Sequence, residues 1–156
     1  MGRRRIVYSA EGKISPQRFI AALTDFSPDR PKYWPGLTGN QFKLIEKGSD
    51  WALVREGTAT VWEESRYDWS KPGVVTSTVQ KSNFLRPGTT WEFKVSERKG
   101  GGCRVEAVLE RDYRGPQGYF VQALTYLPAA GAGFGLVLRQ TLKMLEAEGT
   151  KGTGHR

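Results

Sequence analysis

The chain of 156 residues has one cysteine and one histidine. A single cysteine, Cys103, excludes an internal disulfide, a paired-thiol redox motif and a thiolate zinc cage, and it fits a reducing compartment. The histidine, His155, is the second-last residue, inside the polar stretch from Glu148 to Arg156. Ser-His-Asp and Cys-His catalytic machinery is thereby excluded within this chain, and neither a metal site nor a cofactor is expected. Residues 149–156 read as a flexible polar tail.

Charge is missing from one long stretch. Gly115 to Leu138 contains no charged residue, a length that in principle crosses a bilayer. Pro116, Pro128, Gln117, Gln122 and five glycines argue against a membrane helix, because a lone span could not satisfy the backbone groups these breakers free. The expectation is a helix buried in protein and broken once. At the other end, Arg3-Arg4-Arg5 precedes only Ile6-Val7-Tyr8, too short for a signal-peptide core, so a cytoplasmic location is expected.

What is present is a core. Hydrophobic residues make up 38% of the chain, which also carries 7 Phe, 6 Tyr and 5 Trp, enough for one folded domain. The net charge of +8 is uneven: 7 basic and 3 acidic residues lie through Trp34, and 13 and 11 from Pro35 to Arg114. Near balance in the middle of the chain makes nucleic acid an improbable partner for that region.

Residues 3–8 read as a strand, and Ser15-Pro16 as a helix start with Phe19, Ile20 and Leu23 on one face. Arg30 to Leu37 holds two prolines, leaving at most a turn of helix around the anchor Trp34. From Gln41 to Tyr113 the period becomes two, giving strands at 41–47, 51–56, 59–69, 73–83, 89–98 and 103–113. Their short connections imply a sequential antiparallel sheet with one wet face and one apolar face. A last helix carries Phe134, Leu138, Leu142 and Leu145 on one side over 132–148, roughly 25 Å long.

The order strand, helix, helical turn, six strands and long C-terminal helix resembles the START-like superfamily, also called SRPBCC or the polyketide cyclase/dehydrase and lipid-transport group. The resemblance covers residues 3–148 and is carried by the Ser15-Pro16 helix start, the Lys32-Tyr33-Trp34-Pro35 connector, the Lys71-Pro72-Gly73 hairpin, and Glu110 to Pro116 leading into the final helices. It implies an α+β helix-grip fold: a curved seven-stranded antiparallel sheet wrapped round a long C-terminal helix, with two short helices after strand 1 and a ligand cavity. Superfamily members bind hydrophobic ligands, carry lipids, cyclise polyketides or sense ligands.

On that reading the sheet offers Tyr67, Trp69, Trp91, Phe93 and Tyr113 to a ligand, and the helices offer Tyr119, Tyr126 and Phe134; packing alone would equally employ them. Arg111 shares the alternation register of Leu109 and Tyr113, so with that register continuous it faces inward and needs an anion, either a carboxylate of the protein or the acid group of a ligand, whereas a local bulge would turn it to solvent. Without histidine, proton transfer would fall to Glu63, Asp68, Asp112 or a tyrosine. Glu63, in register with Tyr67 and Trp69, is the leading carboxylate, beside Arg111 and Tyr113. Gly131-Ala132-Gly133-Phe134-Gly135 is no dinucleotide loop, because Leu136 stands where the third glycine belongs. Three functions are compatible with these residues: carriage of a small hydrophobic or amphipathic ligand, cyclase or dehydratase chemistry, and contact with an anionic membrane or nucleic acid.

Overall fold

The computed structural model describes residues 4–34, 41–125 and 138–148. Seven strands form one antiparallel sheet: β1 (Arg4–Gly12), β2 (Gln41–Lys47), β3 (Trp51–Gly57), β4 (Trp62–Asp68), β5 (Val74–Ser82), β6 (Thr90–Glu97) and β7 (Cys103–Arg111). Their spatial order is β1-β7-β6-β5-β4-β3-β2, so β2 to β7 make a meander and β1 closes onto its far side. Two short helices, α1 (Pro16–Leu23) and α2 (Arg30–Tyr33), bridge β1 and β2, and α3 (Gly115–Thr125) follows β7.

Six of the seven expected strands stand within a few residues of their expected bounds. The first runs four residues further than expected, to Gly12, because small Ala10 keeps the inward register opposite Val105 where a larger apolar residue would have signalled a strand. The fourth begins at Trp62 rather than 59, because the Thr58 hydroxyl accepts from the amides of Thr60 and Val61 and holds a turn.

Ser15 caps α1, its hydroxyl accepting from the Arg18 amide at 3.1 Å, and Pro16 occupies the first turn. This cap presents Phe19, Ala22 and Leu23 to the sheet, where they are buried. Trp34 is buried between them: its indole N–H donates to the Ala22 carbonyl at 3.3 Å, and its ring meets Phe19 edge-on at 5.9 Å and Phe93 at 6.3 Å. Leu138, Leu142 and Leu145 of the C-terminal helical segment 138–148 join the same core. That segment is fastened at its end by Glu148, which meets both Arg18 and Lys32 at 3.0 Å, and Thr141 donates to the Tyr33 carbonyl at 2.7 Å.

One irregularity shapes the sheet. Between Glu64 and Ser65 the β4–β5 register slips by a residue. Beyond it the chain leaves β6: Ser82 donates to the Trp62 carbonyl and accepts from the amides of Phe84 and Leu85, and Leu85 then pairs with Tyr113 beyond the end of β7. Segment 82–86 thus stitches the β4 side of the sheet to β7, with Arg86 N–H on the Asp112 carbonyl and Arg114 N–H on that of Phe84. Gly118 lets α3 lie against this stitch, since a Cβ there would stand 2.5 Å from the Phe84 carbonyl oxygen.

The helices are locked to the sheet by a buried ion pair. The Arg30 side chain is almost wholly buried between the rings of Phe26 and Tyr67, and its Nε donates to Glu56 Oε1 at 2.8 Å. Its Nη1 donates to the carbonyl of Leu23, which the end of α1 leaves without a helical partner, and to that of Asp25 just past the helix. Removing one partner of such a pair leaves an uncompensated buried charge. Arg30→Met should therefore lower stability by about 3–5 kcal/mol in urea denaturation. Adding Glu56→Gln should restore a large part of the loss, whereas equal stability of Arg30→Met and wild type would show that the pair does not lock the fold.

Candidate functional site

Alternation places Ala52, Val54 and Glu56 of β3, Glu63, Ser65 and Tyr67 of β4, and Val75, Ser77 and Val79 of β5 on the face that α1 and 138–148 cover. Trp91, Phe93 and Val95 of β6 and Val105, Ala107, Leu109 and Arg111 of β7 complete it. One half of this face is apolar. The other carries a line of polar groups that covered sheet faces rarely hold.

Two ion pairs make up that line. Glu56 is held by Arg30 and also accepts from the Tyr67 hydroxyl at 3.2 Å. Glu63, opposite Glu56 across the β3–β4 ladder, meets the Arg111 guanidinium at 3.4 Å, and the same guanidinium lies 4.5 Å from the centre of the Trp91 ring. Arg111 and Glu63 stand on β7 and β4, three places apart in the sheet order. A flat sheet would separate those strands by about 14 Å. Their contact follows from the slip after Glu64 and the 82–86 stitch, which fold this end of the sheet over on itself.

Burial pushes the Glu63 carboxyl up from its ordinary value, Arg111 pulls it back, and neighbouring Glu56 adds to the rise. Burial and Glu56 likewise raise the Tyr67 phenol, which stays protonated as a donor. Between Glu63 and Tyr67 stands Ser65, 2% exposed, whose hydroxyl has no hydrogen-bond partner among the described residues. A buried hydroxyl left so is costly unless something fills its place.

The residues expected from the sequence divide into groups. Glu63, Arg111, Tyr67 and Trp91 come together on the inner face. Trp69 and Phe93 face the same side but are engaged in packing, Trp69 stacked 5.7 Å from Phe26 and Phe93 against Trp34 and Trp91. Tyr113 is buried in a smaller cluster with Val79 and Leu85, since the chain bends toward the stitch after Arg111. Tyr119 corrects an expectation: it lies on the solvent side of α3, 47% exposed, because Gly118 and Gln122 face inward instead. Tyr126, Phe134, the 131–135 glycine segment and the tail at 149–156 lie outside the described residues.

Asp68 and Asp112 take no part in the inner face, Asp112 being half-buried. Asp68 accepts from the Ser70 amide and hydroxyl, bonds that hold its carboxyl low, and Asp112 pairs with Arg86 at 3.5 Å. Sequence reasoning missed Arg30, Glu56 and Ser65. Glu56 shares the register of Ala52 and Val54, so the argument applied to Arg111 would have found it; Arg30 sits in an aperiodic connector and offers no such signal. Among the described residues no group of three or more His, Cys, Asp or Glu side chains could hold a metal ion, and no helix is long and apolar enough to cross a membrane.

No protein-family model matches the chain, and no curated protein matches it. Solved structures do. The Zhui aromatase/cyclase from Streptomyces sp. R1128 superposes with a TM-score of 0.71 at 11% identity, covering 92% of this chain and 94% of that one. A START superfamily protein from Mycobacterium smegmatis gives 0.64 at 11% identity over 86% and 95%. Norcoclaurine synthase from Thalictrum flavum, in complex with dopamine and hydroxybenzaldehyde, gives 0.63 at 11% identity over 94% and 87%. At these identities the likeness is one of fold.

The raised Glu63 carboxyl has a consequence for stability. Above its ordinary value near 4.5 the unfolded chain binds fewer protons at this group than the folded one, so its contribution is full below that pH and falls as pH rises through the folded value. Glu63→Gln, which mimics the protonated acid, should match wild type in denaturant below about pH 4 and exceed it at neutral pH. A difference that stays constant with pH would contradict the assignment.

Proposed function

Taking as premise that the chain has the START-like helix-grip fold, we propose that it binds or carries a small hydrophobic or amphipathic molecule between the inner face of the sheet and the C-terminal helix. Proteins of this fold bind hydrophobic ligands or act as cyclases. The observation carrying the reading is the buried Ser65 hydroxyl without a partner among the described residues, set beside the Glu63–Arg111 pair and Trp91. Small side chains at Ser65 and Ser77 suit a ligand body lying on the sheet, and the hydroxyl suits its polar end.

The chemistry of that end follows from charge. Glu56 is matched by Arg30 and Glu63 by Arg111, so a ligand carboxylate would have to separate an existing pair, whereas an uncharged hydroxyl or carbonyl needs no such step. Long-chain alcohols, quinones and aromatic polyketides are the matching classes. Native mass spectrometry should show one of them bound, and at a hundredfold excess over Kd it should stabilise the protein by about 2.7 kcal/mol. Ser65→Phe, which fills the space, should abolish both signals. A protein that acquires no mass and no stability from any of these classes would end this reading.

A second reading rests on Glu63 itself. A carboxyl raised by burial 3.4 Å from a guanidinium can hold a proton for transfer while the cation polarises a carbonyl, the demands of a cyclase or dehydratase. Glu63→Gln should then cost roughly 100-fold or more in turnover of a polyketide-like substrate while changing its binding only slightly. Binding without turnover by wild type would leave carriage as the function.

A further inference from the structure

Helix α3 leaves an apolar stripe in solvent. Facing outward, beside Gln117, are Pro116, Tyr119, Phe120 and Ala123, with Phe120 67% exposed, while Gly118 and Gln122 are turned to the protein and Val121 is half-buried against it. A surface helix ordinarily turns its large apolar residues inward. The apolar residues recur at spacings of three and four, so they form one stripe along the helix. Two adjacent exposed aromatics on a helix without a single charge are unusual on a surface facing only water.

The surroundings of the stripe are basic. Arg114 immediately precedes α3 and donates to the Ser82 carbonyl, and Arg86 is joined to the adjoining Asp112 through its backbone and by a 3.5 Å ion pair; both side chains keep an exposed edge, as does Arg5 opposite Glu110. The carboxylates of the same segments, Glu110 and Asp112, are half-buried. No acidic residue occurs from Gly115 to Leu145. We propose that this face docks the protein on an anionic lipid bilayer, Phe120 and Tyr119 entering the headgroup boundary and Arg5, Arg86 and Arg114 meeting lipid phosphates and carboxylates.

The charge pattern selects that occupant. Aromatic rings at the boundary and arginines beside them are the combination an anionic bilayer surface favours. A second copy of the chain would bring like arginines together on a molecule already carrying +8. The proposal does not rest on the inner-face reading, for the two share no residue.

Flotation with vesicles of phosphatidylcholine alone, and of phosphatidylcholine mixed with phosphatidylserine, tests it. Wild type should bind the mixed vesicles, weakly or not at all the neutral ones, and less as salt rises. Phe120→Ser should weaken binding roughly tenfold, and Arg5→Gln about fivefold on the mixed vesicles alone. Because both side chains are exposed, thermal unfolding of the variants should match wild type, which separates lost docking from lost fold. No binding to either vesicle, binding indifferent to Phe120→Ser, or a dimer in sedimentation equilibrium that Phe120→Ser dissolves would each overturn the proposal.

Discussion

The burial of Arg30 is the constraint on which the remainder of the structure hangs. One guanidinium gathers the last carbonyl of α1 and one just past it, the carboxylate of Glu56 and two aromatic rings, and so fixes how the helices meet the sheet. It also sets the electrostatics further along. Arg30 holds the Glu56 carboxylate directly across from Glu63, where after burial it adds to the rise of the Glu63 carboxyl and so makes a second negative charge there unfavourable. Arg111 answers that difficulty from the far side of the sheet. The two ion pairs form a dependent series in which the first creates the need for the second.

The geometry that permits the second pair is a matter of backbone. A one-residue slip after Glu64, a serine that satisfies two amides and a carbonyl, and a short pairing of Leu85 with Tyr113 curl one end of the sheet until β4 and β7 meet. Aromatic packing runs into the polar line: Phe26 stacks on Trp69 and lies 4.4 Å from the Arg30 guanidinium, and Trp91 meets both Phe93 and Arg111. Charged groups and aromatic rings are thereby interleaved on one face.

Much of this was legible in the sequence because period-two alternation is a direct record of burial. It located the strands, the covered face and the inward turn of Arg111, and the spacing of Leu138, Leu142 and Leu145 located the last helix against the core. The partner of Arg111 was not legible, since a partner three strands away depends on curvature that no local pattern records. Arg30 was invisible for a related reason: a buried cation in a proline-bounded connector has no periodicity to betray it. Tyr119 was assigned inward on apolar character alone. An uncharged helix says that something apolar meets it, but it does not say whether that is the protein's own sheet or a surface outside.

The join between β1 and β7 carries a consequence in time rather than space. Its pairs, from Gly12 with Cys103 to Arg4 with Arg111, unite residues about ninety to more than a hundred positions apart. Every other ladder joins strands adjacent in the chain and can form as a hairpin within microseconds. β1 has no sheet partner until the seventh strand exists, so during synthesis the first dozen residues wait, with their edge exposed, for nearly three quarters of the protein to emerge. Contacts so distant slow folding. Exposed Arg5 and Glu11, alternating along that waiting strand, are the kind of charges that keep an unpaired edge from joining the wrong chain.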